Sequence, residues 1–211
     1  MMKNFIIVDD YPSLRAGVCA ILAEHDFYCV GQASTLKEAE SLLVSTQADL
    51  LILDVQLPDG DGIAALKEWR DRGITLPPTL IKSMMPEETA GRALKAGANG
   101  YFNKSGEIEE FLRAVNLVSR NERYVSAEYA ALLAQTISGG KPLSAHDALS
   151  EREYRVLCAY AKGLSPAQIA EQLGIQVNTL SAYRARILKK LGLTKTTEMV
   201  QYALKNRLVS F

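Results

Sequence analysis

Two hydrophobic periods share the first 125 residues of the chain, and only one of them continues beyond. Short apolar runs at residues 4–8, 28–33, 50–53, 79–81 and 100–102 have the length of strands. Between them, residues 14–22, 36–43, 63–69, 89–96 and 108–118 carry apolar positions at i, i+3 and i+4, the pattern of helices with one buried face. Strands that alternate with helices pair in parallel, and right-handed crossovers then cover both faces of the sheet. The predicted unit is α/β, a (βα)5 fold whose five strands fit the flavodoxin-like order 2-1-3-4-5.

After Tyr124 the pattern becomes wholly helical. Residues 127–137 predict one helix, and Ser138-Gly139-Gly140-Lys141-Pro142 is a run of breakers with the composition of a linker. From Leu149 no strand signal remains. Helices are predicted over 151–161, 166–173, 177–191 and 196–206, with Gly163, Gly174 and Gly192 where they should stop. Three parts follow: a sheet unit at 1–125, a linker with one helix at 126–148, and a small all-α four-helix unit at 149–211.

With 211 residues, 48% hydrophobic and 23% charged, the chain is neither disordered nor fibrous. Cys19, Cys29 and Cys158 are odd in number and form no C-x-x-C pair, which predicts reduced thiols in a cytosol and small buried fillers. The chain start offers no stretch long enough for a signal peptide or membrane span, so a cytoplasmic protein without a membrane partner is expected. Charge changes the picture more. The formal sum is zero, yet residues 1–144 carry 14 basic and 19 acidic side chains while residues 145–211 carry 10 basic and 5 acidic. An acidic half and a basic half cancel, and the basic half points to a polyanionic partner.

In an open parallel sheet, ligands bind beyond the carboxyl ends of the strands. Here those ends lead to Asp9-Asp10, Asp54, Ser83 and Lys104. Strands 1 and 3 are neighbours in the predicted order, which brings three carboxylates together. Like charges that close need a cation, and hard oxygen ligands suit Mg²⁺. A carboxylate held in this way is also a nucleophile capable of forming an aspartyl phosphate, with Asp54 the best placed. Ser83 can hydrogen-bond a phosphoryl oxygen and Lys104 can pair with another.

Asp9-Asp10, Asp54 in a D-x-x-L-P-x-x-x-G context, Ser83 and Gly100-Tyr101-Phe102-Asn103-Lys104 occur in the order and spacing of a two-component receiver domain, which the first 120 or so residues resemble. The resemblance implies that Asp54 accepts a phosphoryl group from a sensor histidine kinase. It implies that Asp9, Asp10, Asp54 and a backbone carbonyl at Gln56 hold Mg²⁺, that Lys104 pairs with the phosphate, and that Ser83 and Tyr101 form the switch. Two positions depart from the pattern. Tyr11 follows the acidic pair where relatives commonly have His. Lys82 precedes the switch serine where the strand is usually apolar, so a cation stands beside the pocket, able to shift phosphate lifetime or occupy the acidic site before phosphorylation.

The predicted helix 177–191 carries Arg184, Arg186, Lys189 and Lys190 and no acidic residue, with Leu180, Ile187, Leu188 and Leu191 as its apolar stripe. One face packs and the other is cationic, behind the turn Leu173-Gly174-Ile175, as in a helix-turn-helix. The run Leu149-Ser150-Glu151-Arg152-Glu153, Gly163-Leu164-Ser165, Ile169-Ala170 and Thr179 through Gly192 resembles a LuxR-type DNA-binding domain. Together the halves resemble a NarL/FixJ-type response regulator. The resemblance implies double-stranded promoter DNA as partner, read by Asn178, Thr179, Ser181, Ala182, Tyr183 and Ala185, with Arg184, Arg186, Lys189 and Lys190 on phosphates. Ser181 and Tyr183 stand where many relatives have Lys and His, and Gln176 is a poor N-cap, so the operator cannot be borrowed from relatives. The last helix is expected to expose Met199, Val200, Ala203 and Leu204 at helical spacing; the resemblance implies that it pairs two copies into a homodimer, while core packing alone explains the same stripe equally well.

Two other readings remain open on the residues. A haloacid-dehalogenase-type phosphatase also uses a strand-end aspartate, but needs an acid two residues later, where Gln56 stands. The other is a receiver-like regulator with lost or atypical phospho-control that acts through protein interaction.

Overall fold

A computed structural model describes residues 2–84, 89–139, 145–206, 208 and 209. The chain forms two compact units, Met1–Ala131 and Leu132–Phe211. In the first, strands β1 (Lys3–Val8), β2 (Phe27–Ala33), β3 (Leu50–Asp54), β6 (Thr79–Ser83) and β7 (Gly100–Asn103) make one sheet in the order β2-β1-β3-β6-β7. Every pairing is parallel. This is the predicted 2-1-3-4-5 arrangement, with one addition that periodicity does not reveal: two-residue strands β4 (Gln56–Leu57) and β5 (Gly60–Asp61) form an antiparallel hairpin at the end of β3. They are too short to have a period, and Pro58-Asp59-Gly60 shows only as a turn.

Helices α1 (Pro12–Ala23), α2 (Leu36–Ser45), α3 (Gly62–Asp71), α4 (Thr89–Lys95) and α5 (Ile108–Val118) are the crossovers. Strand side chains alternate between faces. Phe5, Ile7, Leu50, Ile52, Leu80 and Phe102 share a core with Leu22 of α1 and with Phe111, Ala114, Val115 and Val118 of α5. Ile6, Val8, Leu51, Leu53 and Ile81, on the other parity, are fully buried as well. Both faces are covered, which explains why the strands read as continuous apolar runs. Beyond α5, Tyr124 makes an isolated parallel bridge to Gly100. Its N–H donates to the Asn99 carbonyl at 3.0 Å, its hydroxyl to Glu110 Oε1 at 2.6 Å, and its ring joins the core.

Helix α6 (Ala127–Gly139) outlasts the predicted 127–137, and residues 140–142 of the expected linker lie outside the described residues. A 3₁₀ turn at Ala145–Ala148 then leads to α7 (Glu151–Ala161), α8 (Pro166–Gln172), α9 (Val177–Leu191) and α10 (Thr196–Lys205). Ser150 and Ser165 begin α7 and α8 with capping boxes closed by Glu153 and Gln168. Gly192 ends α9 in the left-handed conformation, φ 68°. The core gathers Tyr154, Val156, Leu157, Ile169, Leu180, Ile187, Met199 and Ala203. This corrects one expectation. Met199 and Ala203 are fully buried rather than exposed, and of the four expected residues only Val200, half-buried, and Leu204, 41% exposed, reach the surface. The stripe at i and i+4 is the face that α10 packs into the core, so periodicity alone could not assign it to a partner.

Candidate functional site

Asp9, Asp54, Lys82 and Lys104 each lie two residues beyond a core position, namely Ile7, Ile52, Leu80 and Phe102. Period 2 therefore carries all four to the same face at the carboxyl edge of the sheet, above the α1–α5 core. Register sharpens this: Val8 is beside Leu53, and Asp54 is beside Lys82. The expected carboxylates do meet. Asp9, Asp10 and Asp54 each offer an oxygen within 4.8 Å of the others, with Asp9 and Asp54 buried and Asp10 half-buried.

Lys104 Nζ donates to Asp54 Oδ2 at 2.5 Å and to Asp9 Oδ2 at 3.0 Å. Lys82 is 2% exposed and donates to the same Asp9 oxygen at 2.5 Å. Asp9 Oδ1 accepts from the Tyr11 N–H at 2.8 Å. Burial would raise the carboxyl of Asp9, but the hydrogen bond and charge of Lys82, the Tyr11 amide and Lys104 outweigh it and hold it below its ordinary value. Asp54 moves the other way: burial and the charge of Asp9 exceed the pull of Lys104, so its carboxyl is raised. Burial, followed by the charge of Lys104, lowers Lys82. Lys104 is raised, because its two aspartates overcome the burial that would lower it.

The supporting loop is set by close backbone approach. Asp54 Oδ1 is 3.4 Å from the Gln56 N–H, and Gly62 donates its own N–H to Val55 at 2.8 Å. A β-carbon on Gly62 would fall far inside contact distance of the Asp54 carbonyl oxygen, which is a physical reason for the last glycine of the D-x-x-L-P-x-x-x-G run. Asp61 caps α3 by accepting from Ile63 and Ala64 at 2.8 and 3.0 Å, and it pairs with Arg92 at 3.2 Å. Ser83 and Tyr101 are both 1% exposed, while Tyr11 is 61% exposed. Donors of this kind, three carboxylates with hard oxygens, fit a small divalent cation.

In the helical unit, Asn178, Thr179, Ser181, Ala182, Arg184, Ala185, Arg186 and Lys189 lie on the exposed side of α9, with Tyr183 half-buried. The Arg186 guanidinium stands 4.7 Å from the centre of the Tyr183 ring. Lys190 is placed differently from its neighbours. It donates to Glu153 Oε2 at 2.7 Å and to the Ala148 carbonyl at 2.9 Å. Sequence reading did not pair Glu153 with α9. Its spacing from Ser150 marks the capping box, but the lysine lies 37 residues downstream. Gln176 begins α9 without a side-chain cap. Among the described residues, no helix is long and apolar enough to cross a membrane.

A parallel sheet with an aspartate–lysine edge and a separate helix-turn-helix unit define a response regulator, and the chain belongs to that family. The family model of the response regulator receiver domain matches residues 5–116, and that of the bacterial regulatory proteins of the luxR family matches residues 147–203. The NarL/FixJ-type architecture is thereby established, and the chain is a two-component transcription regulator, not a dedicated enzyme. One curated relative is the oxygen regulatory protein NreC of Staphylococcus aureus, 33% identical over 99% of this chain and 100% of its own. Among solved structures, RcsB of Salmonella enterica serovar Typhimurium bound to promoter rprA with the phosphomimetic BeF3- matches with TM-score 0.76. It is 23% identical, over 96% of this chain and 98% of that one. RcsB bound to promoter P1flhDC matches with TM-score 0.75 and 24% identity over the same shares.

Proposed function

We propose that Asp54 accepts a phosphoryl group from the phosphohistidine of a sensor histidine kinase, and that this controls dimerisation and promoter binding by the helical unit. The carrying observation is Asp54 within 2.5 Å of Lys104, in a cluster of three carboxylates at one sheet edge. An Asp54 oxygen forms a bond to phosphorus while the phosphorus–nitrogen bond of the donor breaks, and the leaving imidazole takes up a proton. Asp9, Asp10, Asp54 and the Gln56 carbonyl would hold Mg²⁺, which supplies positive charge against the phosphoryl oxygens. Lys104 moves from pairing with the carboxylate to pairing with the phosphate. Ser83, one residue past the register partner of Asp54, supplies a hydroxyl to the phosphoryl group, and Tyr101 repacks with it as the second half of the switch.

In the helical unit, Asn178, Thr179, Ser181, Ala182, Tyr183 and Ala185 read base edges of double-stranded DNA in the major groove. Arg184, Arg186 and Lys189 meet phosphates, and Lys190 holds the helix in place through Glu153. Val200 and Leu204 are the part of α10 left for pairing two copies. The parts are 1–125 as receiver, 126–148 as linker and 149–211 as DNA-binding domain, in a chain that works in the cytoplasm. Treating wild type and Asp54→Asn with acetyl phosphate and Mg²⁺ tests the reading. Wild type should gain a base-labile phosphoryl group and bind promoter DNA more tightly. Equal DNA binding by the two proteins would defeat the phospho-switch.

A further inference from the structure

The acidic edge already contains two lysines. Asp9, Asp10 and Asp54 sum to −3, and Lys104 alone would leave −2, the charge that one divalent cation neutralises. Lys82 brings the sum to −1. Its position follows from the strand. It has the parity of Leu80, sits in register beside Asp54, and extends across that residue to the far carboxylate, Asp9. With 2% exposure, the ammonium has exchanged water for carboxylate oxygen, an exchange that holds only while the pairing is kept. Asp9 Oδ2 accepts from both lysines and Oδ1 from the Tyr11 amide, so both oxygens of one proposed metal ligand are engaged.

We propose that Lys82 is a resident counter-ion: it neutralises Asp9 before any metal arrives, and a divalent cation binds the cluster only by displacing the Lys82 ammonium from Asp9. This positioning role rests on the reading of Asp9, Asp10 and Asp54 as the metal cluster. Metal affinity is then set by competition inside the site. Replacing Lys82 with a neutral side chain of similar length removes the competitor and restores the −2 sum.

The test is Mn²⁺ binding to the full chain, followed through the electron paramagnetic resonance of free Mn²⁺. Lys82→Met is expected to bind at least tenfold more tightly than wild type. Lys82→Arg, which keeps the charge, should retain wild-type affinity. Unchanged or weaker binding by a folded Lys82→Met overturns the proposal. A second arm needs no stable neutral variant: in the wild-type chain with ¹⁵N-labelled lysine, Mg²⁺ should shift the Lys82 ammonium resonance, identified by its loss in Lys82→Arg. Saturation with that resonance unmoved overturns the proposal. Asp10→Asn separates the two readings. Binding by wild type that Asp10→Asn abolishes, without any gain in Lys82→Met, removes the role of Lys82 and leaves the metal cluster standing. Absence of Mn²⁺ binding in wild type and Lys82→Met alike removes both.

Discussion

Gly62 stands where the loop after β3 turns back against the carbonyl of Asp54, and it leaves no room for a methyl group. Backbone cannot rotate away as a side-chain tip can. Gly62→Ala is therefore expected to destabilise the receiver unit by about 3 kcal/mol, at the upper end of overpacking costs. It should also slow phosphoryl acceptance, because whatever relieves the clash moves Asp54. Thermal unfolding followed through Trp69, the sole tryptophan, checks this, and an unchanged midpoint would count against the close approach. At this scale much of the site was legible: strand-end positions and residue type pick out Asp9, Asp10, Asp54, Ser83 and Lys104. Lys82 stood out as a departure, and its parity with Leu80 points it to the correct face. That it reaches past Asp54 to Asp9 depends on side-chain length and register together, which no spacing rule carries.

Among elements, α7 and α9 share a buried carboxylate as well as an apolar core. Glu153 closes the capping box of α7 on the Ser150 N–H at 2.7 Å and receives Lys190 from α9 at the same distance. Burial would raise its carboxyl, but the hydrogen bonds from Lys190 and Ser150 outweigh it and hold it below 4.5. A lowered native value means stability fully present above the unfolded value of 4.5 and lost as pH falls through the native one. Glu153→Gln should cost the helical unit about 2 kcal/mol at pH 7. The gap from wild type should close as the pH drops below 4.5. Calorimetry at a series of pH values would show it, and a gap independent of pH would contradict the pairing. Met199→Ala should cost about 3 kcal/mol by leaving a cavity under α10, whereas an interface residue would lose dimerisation with the fold intact. The helices themselves were legible from period and caps. Which face of α10 packs was not, because a stripe reads the same whether it meets the parent core or a second copy.

For the whole molecule, the net charge of zero hides a basic unit whose exposed helix carries Arg184, Arg186 and Lys189. Promoter affinity should fall steeply with salt, and Lys189→Ala should lower the slope of log affinity against log salt by about one. Lys190→Ala should leave that slope nearly unchanged and lower thermal stability instead, since its ammonium is held by Glu153 and Ala148. Equal slopes for wild type and Lys189→Ala would take Lys189 off the phosphates. Division into an α/β half and a helical half was visible in the change of period after Tyr124. Tyr124 itself bears on how the protein can be cut. A receiver fragment ended at residue 116, where the family match stops, would lose Val118 and Tyr124 from the core and strip the Asn99 carbonyl of its donor. Such a fragment would present an open sheet edge beside bare apolar surface and should aggregate on expression, whereas one carried through Ser126 should remain monodisperse.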